Sequence, residues 1–476
     1  MKTEKAGPGK KKESELGVSS IDSDYYGKMF ASSEMAEIFG DDGRLQAWLD
    51  FEAALARAQA RLGIIPEDAS RMIQQKARLE FIDQQEMQEE FVRVGFPILP
   101  MVRQLAKAVG PDAARYVHWG STTQDVTDTG AVLQFRKALD LVEGRLDELC
   151  HVLARTAELH RDTVMVGRTL TQQAAPITFG YKVAIWLAEI LRHRERLQQV
   201  RPRVLVGQVA GAVGSNATLG AMAADVQRET LRELDLCAPP ITWHVSRDGW
   251  TELAALLALI GGSLGKIARE ILTLNRTEIG ELAEPFIHGR GASSTLPQKR
   301  NPITCQPVVA AAKMLREKAS LSLDVLIQEN ERSAGPMHLE WTLLPEAFVI
   351  LDGALKNLLS ILPGLVVDKS RMIANLDLTR GMVVAEAVMM GLAPHIGREK
   401  AHELVYDLCK KGLEENRRLQ DVLLEDSTIT AHLSESDVRS LLDPANYTGM
   451  CRDMTDRVLG LYRAALVADP TETETE

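Results

Sequence analysis

A chain of 476 residues is too long for one compact core, so two or three domains are expected. Its 45% hydrophobic and 25% charged residues are those of a soluble globular protein, and the scarcity of aromatics, at 5%, beside plentiful Ala, Leu, Glu, Arg and Gln favours helices over sheets. A net charge of -11 argues against a nucleic-acid partner, which needs a basic face, but leaves an anionic substrate open because a site can oppose the net charge.

The first twenty residues carry Lys2, Lys5 and Lys10 to Lys12 with no apolar core, so residues 1–24 read as a disordered tail rather than a secretory signal. The acidic end, "DPTETETE", reads the same way over 466–476. Leu45, Trp48, Leu49, Leu55 and Leu62 recur at helical spacing after Ser32 and Ser33, which are candidate caps. Helical runs are expected from Asp128 to Arg161 and from Pro176 to Val200. The uncharged run Val204 to Ala224 is about long enough to span a bilayer. Its Gln208, Ser215, Asn216 and four glycines instead predict a buried or ligand-facing turn, so no membrane span is expected.

From Trp250 the apolar stripe Leu253, Leu256, Leu257, Ile260, Leu264, Ile267, Ile271 and Leu274 predicts one helix long enough for a bundle. No strand-rich region and no fixed-period repeat is visible. Soft boundaries at Gly110-Pro111 and Pro363-Gly364 divide the chain into helical segments 25–110, 111–363 and 364–465. The fold class is therefore all-α. The five cysteines, Cys150, Cys237, Cys305, Cys409 and Cys451, are scattered and odd in number. They point to free thiols in a reducing, cytoplasmic setting, and no metal site is expected.

Chemistry is concentrated in three loop segments rich in Ser, Thr, Gly, Asn and Pro. "YVHWGSTTQDVTDTG", Tyr116 to Gly130, gathers His118, Ser121, Thr122, Thr123 and Gln124 before a helical run, where hydroxyls and amides suit an anion. An elaborate N-cap is the alternative. "GRTLTQQAAPITFG", Gly167 to Gly180, holds Arg168, Thr169, Gln172 and Gln173 before a helix expected to begin at Pro176. "GASSTLPQKRNP", Gly291 to Pro302, supplies Ser293, Lys299 and Asn301, and the later "ENERSAGPMHLEW" adds Arg332 and His338.

These loops offer cations, amides and hydroxyls with no cofactor fingerprint, an inventory suited to a small polycarboxylate from which a proton is removed beside one carboxylate. The resulting aci-carboxylate needs donors aimed where charge develops, a task for Lys299 and Asn301. A serine serves as base only where amides and a cation stabilise its alkoxide out of water, and a Gly-, Ser- and Pro-rich loop that closes supplies both.

"ASSTLPQKRNP" resembles the signature loop of the fumarase/aspartase superfamily, departing from its pattern at Ala292 and Leu296. "HWGSTTQD" and "GRTLTQQAAPITFG" resemble the superfamily's other two active-site segments, in the right order. "VHWGSTTQDVTDT", "ERSAGPMHLEW" and "NLDLTRGMVVAEAVMMGLA" resemble its 3-carboxymuconate cycloisomerase branch, and the His-Asp-Val segment of adenylosuccinate lyases is missing near Phe91 to Leu105.

The resemblance implies a cofactor-independent homotetramer with active sites built from three subunits. It makes Ser293 the base, Lys299 and Asn301 the holders of one carboxylate, Thr122, Thr123 and Gln124 those of another, and Arg332 a further ligand. The implied activity is cycloisomerisation of the 3-carboxymuconate type. The competing readings are a C–N lyase releasing fumarate from an N-substituted aspartate, an epimerase of such a compound, and a silent bundle, against which the intact Ser293, Lys299 and Asn301 argue.

Adenylosuccinate lyases carry a catalytic histidine in the second motif, where this chain has Leu170, and some muconate cycloisomerases carry one three positions later, where this chain has Gln173. His338 and His118 are the remaining candidates for proton delivery. Each, like His244, lies near a Trp and has a packed ring as its alternative.

Overall fold

The computed structural model describes residues 19–467. The fold is all-α, with two small two-stranded antiparallel sheets. It forms two compact units, each discontinuous in sequence. One takes the chain up to Val142 with Val200–Ala258 and Ala311–Lys356; the other takes Glu143–Gln199, Leu259–Ala310 and the chain from Asn357. The expected tails lie outside the described residues, except that 19–24 make turns and 466–467 end the last helix.

Long helices dominate the described residues, among them Thr123–Leu159, Phe179–Val204, Asp248–Leu274, Cys305–Asp324 and Pro336–Ile361. The stripe that predicted the third of these is its buried face, since none of the eight residues from Leu253 to Leu274 is more than 5% exposed. Two helical stretches, Asp248–Leu274 and Pro336–Gly364, are long and apolar enough to cross a membrane. Their apolar windows are 61% and 72% buried inside the protein, which accounts for their composition as core. The uncharged run from Val204 is a loop with the short turn Ala217–Met222, and its Gln208 is fully buried.

In the first unit Phe39, Phe135, Phe348 and Trp250 form one aromatic core, with Phe135 edge-on to Trp250 at 5.1 Å and stacked on Phe348 at 5.8 Å. Ser32 caps a short helix, Ser33–Phe39, by accepting the Met35 N–H at 3.1 Å, and its hydroxyl donates to buried Asp352. It does not cap the helix that carries Leu45 and Trp48. Gly40 is extended, so the chain breaks there and a new helix, Asp41–Arg61, begins. In the second unit Val388, Leu392, Val405, Leu419, Val422, Leu423 and Val438 make a separate aliphatic core under the C-terminal helices.

The second motif corrects an expectation. Pro176 does not open a helix. It lies inside strand β2, Gln172–Thr178, which pairs with β1, Val164–Thr169, and the helix starts at Phe179. Alternating Val164, Val166, Ile177 and Thr178 suit a strand, and proline is tolerated there because the ribbon has only two strands. The turn is Leu170-Thr171, with φ of 49° and 70°, the left-handed pair that a two-residue hairpin loop requires.

The hairpin is followed by a close helix approach at Gly180. A Cβ there would stand 2.6 Å from the Ala157 carbonyl oxygen and 2.6 Å from the Arg161 Cα, both backbone atoms that cannot rotate away. Gly180→Ala is therefore expected to lower stability by about 1–3 kcal/mol, the usual range for overpacking, read as a lower urea midpoint by circular dichroism. An unchanged midpoint would contradict this packing.

Candidate active site

The first motif is assembled around a buried carboxylate. Asp125, in the first turn of the Thr123–Leu159 helix, is fully buried. Its Oδ2 accepts the Thr122 N–H at 3.0 Å, the Ser121 hydroxyl at 3.3 Å and the Gly211 N–H at 3.0 Å. Its Oδ1 accepts the Ala210 N–H at 3.0 Å and faces His244 Nε2 at 3.0 Å. A carboxylate this deep is tolerable only when its lone pairs are met, and here they are met by the groups that shape the loop. Ser121, Thr122 and Thr123 are consequently fixed, half-buried, at the positive end of a long helix.

Gln124 is buried and committed at both ends. Its Nε2 donates to the His244 carbonyl at 2.8 Å, and its Oε1 accepts Arg332 Nε at 2.6 Å. In this arrangement Gln124 orients Arg332, itself exposed. His118 adopts φ of 59°, and its backbone and ring both meet Glu52. The N–H donates to Oε2 at 3.1 Å, and Nδ1 lies 2.6 Å from Oε1. Burial lowers the affinity of this ring for a proton. The charge and hydrogen bond of Glu52, helped by Asp125, outweigh it and hold His118 above the ordinary histidine range.

His338 is exposed and lies tilted against Trp341, ring centres 4.8 Å apart, with Phe96 at 6.2 Å. His244 is the packed ring.

In the second unit the β1–β2 hairpin carries the second motif. Arg168 makes a two-pronged ion pair with Glu281, Nη1 to Oε2 at 3.0 Å and Nη2 to Oε1 at 2.7 Å, so its charge is matched within the protein. Asn375 Nδ2 also donates to Glu281, at 2.7 Å, and Gln173 Nε2 donates to the Asn375 carbonyl at 3.0 Å. Arg168 and Gln173 thus hold the hairpin in place, while Thr169 and Gln172 flank its exposed turn. Leu170, 96% exposed, occupies the tip.

The signature loop is a clamped flap. Its neck is closed by Gly291, whose carbonyl accepts both the Asn301 N–H at 2.9 Å and Asn301 Nδ2 at 3.1 Å. Asn301 therefore secures the loop in this conformation. Gly291 has φ of 71°, and a Cβ there would lie 2.2 Å from the Asn301 carbonyl oxygen, so only glycine fits. Glu284 accepts the Thr304 and Cys305 N–H groups at 3.0 and 2.9 Å, pinning the start of the following helix. Beside that carboxylate and buried, the Cys305 thiol is pushed well up and stays protonated.

Inside the flap the Ser293 Oγ accepts the Thr295 N–H at 3.3 Å and the Leu296 N–H at 3.0 Å. Lys299 is exposed on the same loop. Two amides converging on one hydroxyl oxygen are what an alkoxide requires.

Three anchoring carboxylates escaped the sequence reading. Glu52 left a usable signal, since it interrupts the otherwise apolar face of Trp48, Leu49 and Leu55. Glu281 and Glu284 left none, because nothing in the sequence relates them to Arg168 or to residues 304–305.

Residues 28–314 match the family described as "Lyase", and residues 381–458 match "Adenylosuccinate lyase C-terminus". The chain is 44% identical over 438 residues to a 3-carboxy-cis,cis-muconate cycloisomerase of Pseudomonas aeruginosa, covering 91% of this chain and 95% of the relative. It is 39% identical over 433 residues to an N-acetyl-S-(2-succino)cysteine lyase of Dickeya dadantii, covering 91% and 95%. The crystal structure of 3-carboxy-cis,cis-muconate lactonizing enzyme from Pseudomonas putida superposes with a TM-score of 0.88 at 43% identity, covering 92% of this chain and 98% of that one. A chain so matched across both parts, with the three motifs in order on an all-helical fold, belongs to the lyase and cycloisomerase enzymes of the fumarase/aspartase superfamily.

Proposed function

We propose that this enzyme is a cytoplasmic, cofactor-independent cycloisomerase of the 3-carboxymuconate type. The observation that carries the reading is the Ser293 hydroxyl held by the amides of Thr295 and Leu296. In the lactonising direction a substrate carboxylate oxygen bonds to one alkene carbon. The π electrons move toward the neighbouring carboxylate, giving an aci-carboxylate dianion, and Ser293 gives its proton to the carbon between them. In reverse the Ser293 alkoxide removes that proton. The two amides stabilise the alkoxide, and Lys299 supplies the cation for the carboxylate, joined by Asn301 once the flap closes. Arg332, oriented by Gln124, and the hydroxyls of Thr122 and Thr123 take a second carboxylate, beside a Ser121 hydroxyl committed to Asp125. The substrate is thus a small polycarboxylate.

The family resemblance supports a homotetramer in which three subunits complete each site, and a chain divided into 25–110, 111–363 and 364–465. A second reading draws support from the lyase relative at 39% identity. β-Elimination from a succinyl adduct, through the same dianion, would release fumarate, with protonated His118 delivering a proton to the leaving atom. Removal and return of the α-proton instead, on the carbon that bears the leaving group and without its expulsion, would give an epimerase.

An ultraviolet assay with 3-carboxymuconate is expected to show turnover, while adenylosuccinate and other N- or S-substituted succinates stay inert. Elimination from such an adduct with the muconate inert would replace the first reading by the second. Ser293→Ala is expected to lower kcat at least about 10³-fold with an unchanged circular dichroism spectrum; near-normal turnover removes Ser293 as the base.

His118 has a raised pKa, so its protonated form persists above pH 6.5 and is lost as pH rises through the raised value. If it delivers a proton, activity falls on that alkaline limb. Glu52→Gln removes the opposing charge and is expected to move the limb to lower pH. A limb that stays in place shows that the pair serves structure alone.

A further inference from the structure

The first unit contains a cavity of about 570 Å³, lined by neither the hairpin nor the flap but reached by Thr127 and Asp128 at the end of the first motif and by Glu340 and Trp341. Aromatics make up only 5% of the chain, yet Trp48, Phe91, Phe135, Trp250 and Trp341 all face this one space. Its charged lining is lopsided. At the rim Asp41 and Arg44 pair at 3.1 Å and cancel.

Asp128 and Glu340 also line it, and both bond to a single cation behind the wall, fully buried Arg247. Arg247 reaches the two Asp128 oxygens at 3.0 Å each and Glu340 at 2.8 and 3.0 Å. Its guanidinium lies 4.7 Å from the Trp250 ring centre and 5.0 Å from that of Trp243. Two carboxylates sharing one guanidinium leave one negative charge unmatched. The neutral amides of Gln208 on Asp128, at 2.6 Å, and Gln328 on Glu340, at 3.3 Å, add hydrogen bonds but no charge.

The surplus is felt where it is deepest. Burial, with the repulsion of Asp128 added, pushes the Glu340 carboxyl up to about 7 against the pull of Arg247. A cation seated in the cavity would satisfy the same deficit, and π faces around an unmatched carboxylate are the surroundings that ammonium groups prefer.

We propose that this cavity binds an organic monocation, an alkylammonium or quaternary ammonium group held among Trp48, Phe91 and Trp341 with its charge toward Asp128 and Glu340. The group belongs either to the distal end of a substrate or to a separate effector. Trp341 also packs, tilted, against His338, so either source would sit one side chain away from a candidate proton carrier. The proposal stands apart from the muconate reading, because binding can be measured without turnover.

Calorimetric titration of the full-length protein with choline, its neutral isostere 3,3-dimethylbutan-1-ol and benzoate tests it. Choline is expected to bind saturably and at least about tenfold more tightly than the isostere, with benzoate weaker still. Phe91→Ala, at a residue 37% exposed, is expected to weaken choline about tenfold without loss of fold. Glu340→Gln should weaken choline but leave the isostere unchanged. Equal binding of choline and isostere, tighter binding of benzoate, no saturable choline binding, or indifference to Phe91→Ala overturns the proposal. Repeating the titration in the presence of whichever polycarboxylate the enzyme turns over separates the sources. Displacement of choline assigns the cation to the substrate, and persistence assigns it to an effector.

Discussion

A buried carboxylate with all its lone pairs occupied is the interaction on which the functional architecture rests. Asp125 gathers two loop amides from residues 210 and 211, one amide and one hydroxyl from residues 121 and 122, and the His244 ring. Its burial would be prohibitive if any large part of that shell were lost, so the shell forms as a set. The same device recurs wherever chemistry is expected. Glu52 fixes His118, Glu281 fixes the hairpin through Arg168 and Asn375, and Glu284 fixes the base of the flap. Irregular segments on a helical frame have few backbone partners of their own, and internal acids supply them.

This arrangement separates residues proposed to touch substrate from residues that hold them in place. Arg168 and Gln124 have the composition of substrate ligands, yet their polar ends are spent on protein partners, while Gln173 spends its Nε2 alone and keeps a buried Oε1 without a partner. Arg332 and Lys299 are exposed, and the Thr122 and Thr123 side chains are half-buried at the helix start. Preorganisation of this kind matters most for an enzyme that stabilises a dianion, since donors that must reorient during the reaction lose much of their electrostatic advantage.

Periodicity made the long helices legible, because a 3.6-residue repeat from Leu253 to Leu274 has one structural meaning and the burial agrees. The flap was legible for a different reason. Ser293, Lys299 and Asn301 in that order have few other uses. The hairpin was not legible, because Pro176 signals a helix start as strongly as it signals an edge strand, and the positive φ of Leu170 and Thr171 belongs to no residue type that advertises it. The paired acids were hidden for a third reason. Glu281 meets Arg168 across 113 positions, and local pattern holds no information about such a distance.

The two amides that serve Ser293 come from residues two and three positions further along the same loop. They are neither contributed by a neighbouring helix nor dependent on a ligand. Because Gly291 and Asn301 close this loop on itself, the hydroxyl and its donors form one local unit. If Ser293 is the base proposed above, the groups that would stabilise its alkoxide are built into the loop that carries it, and no other element of the fold has to be in place for them to act.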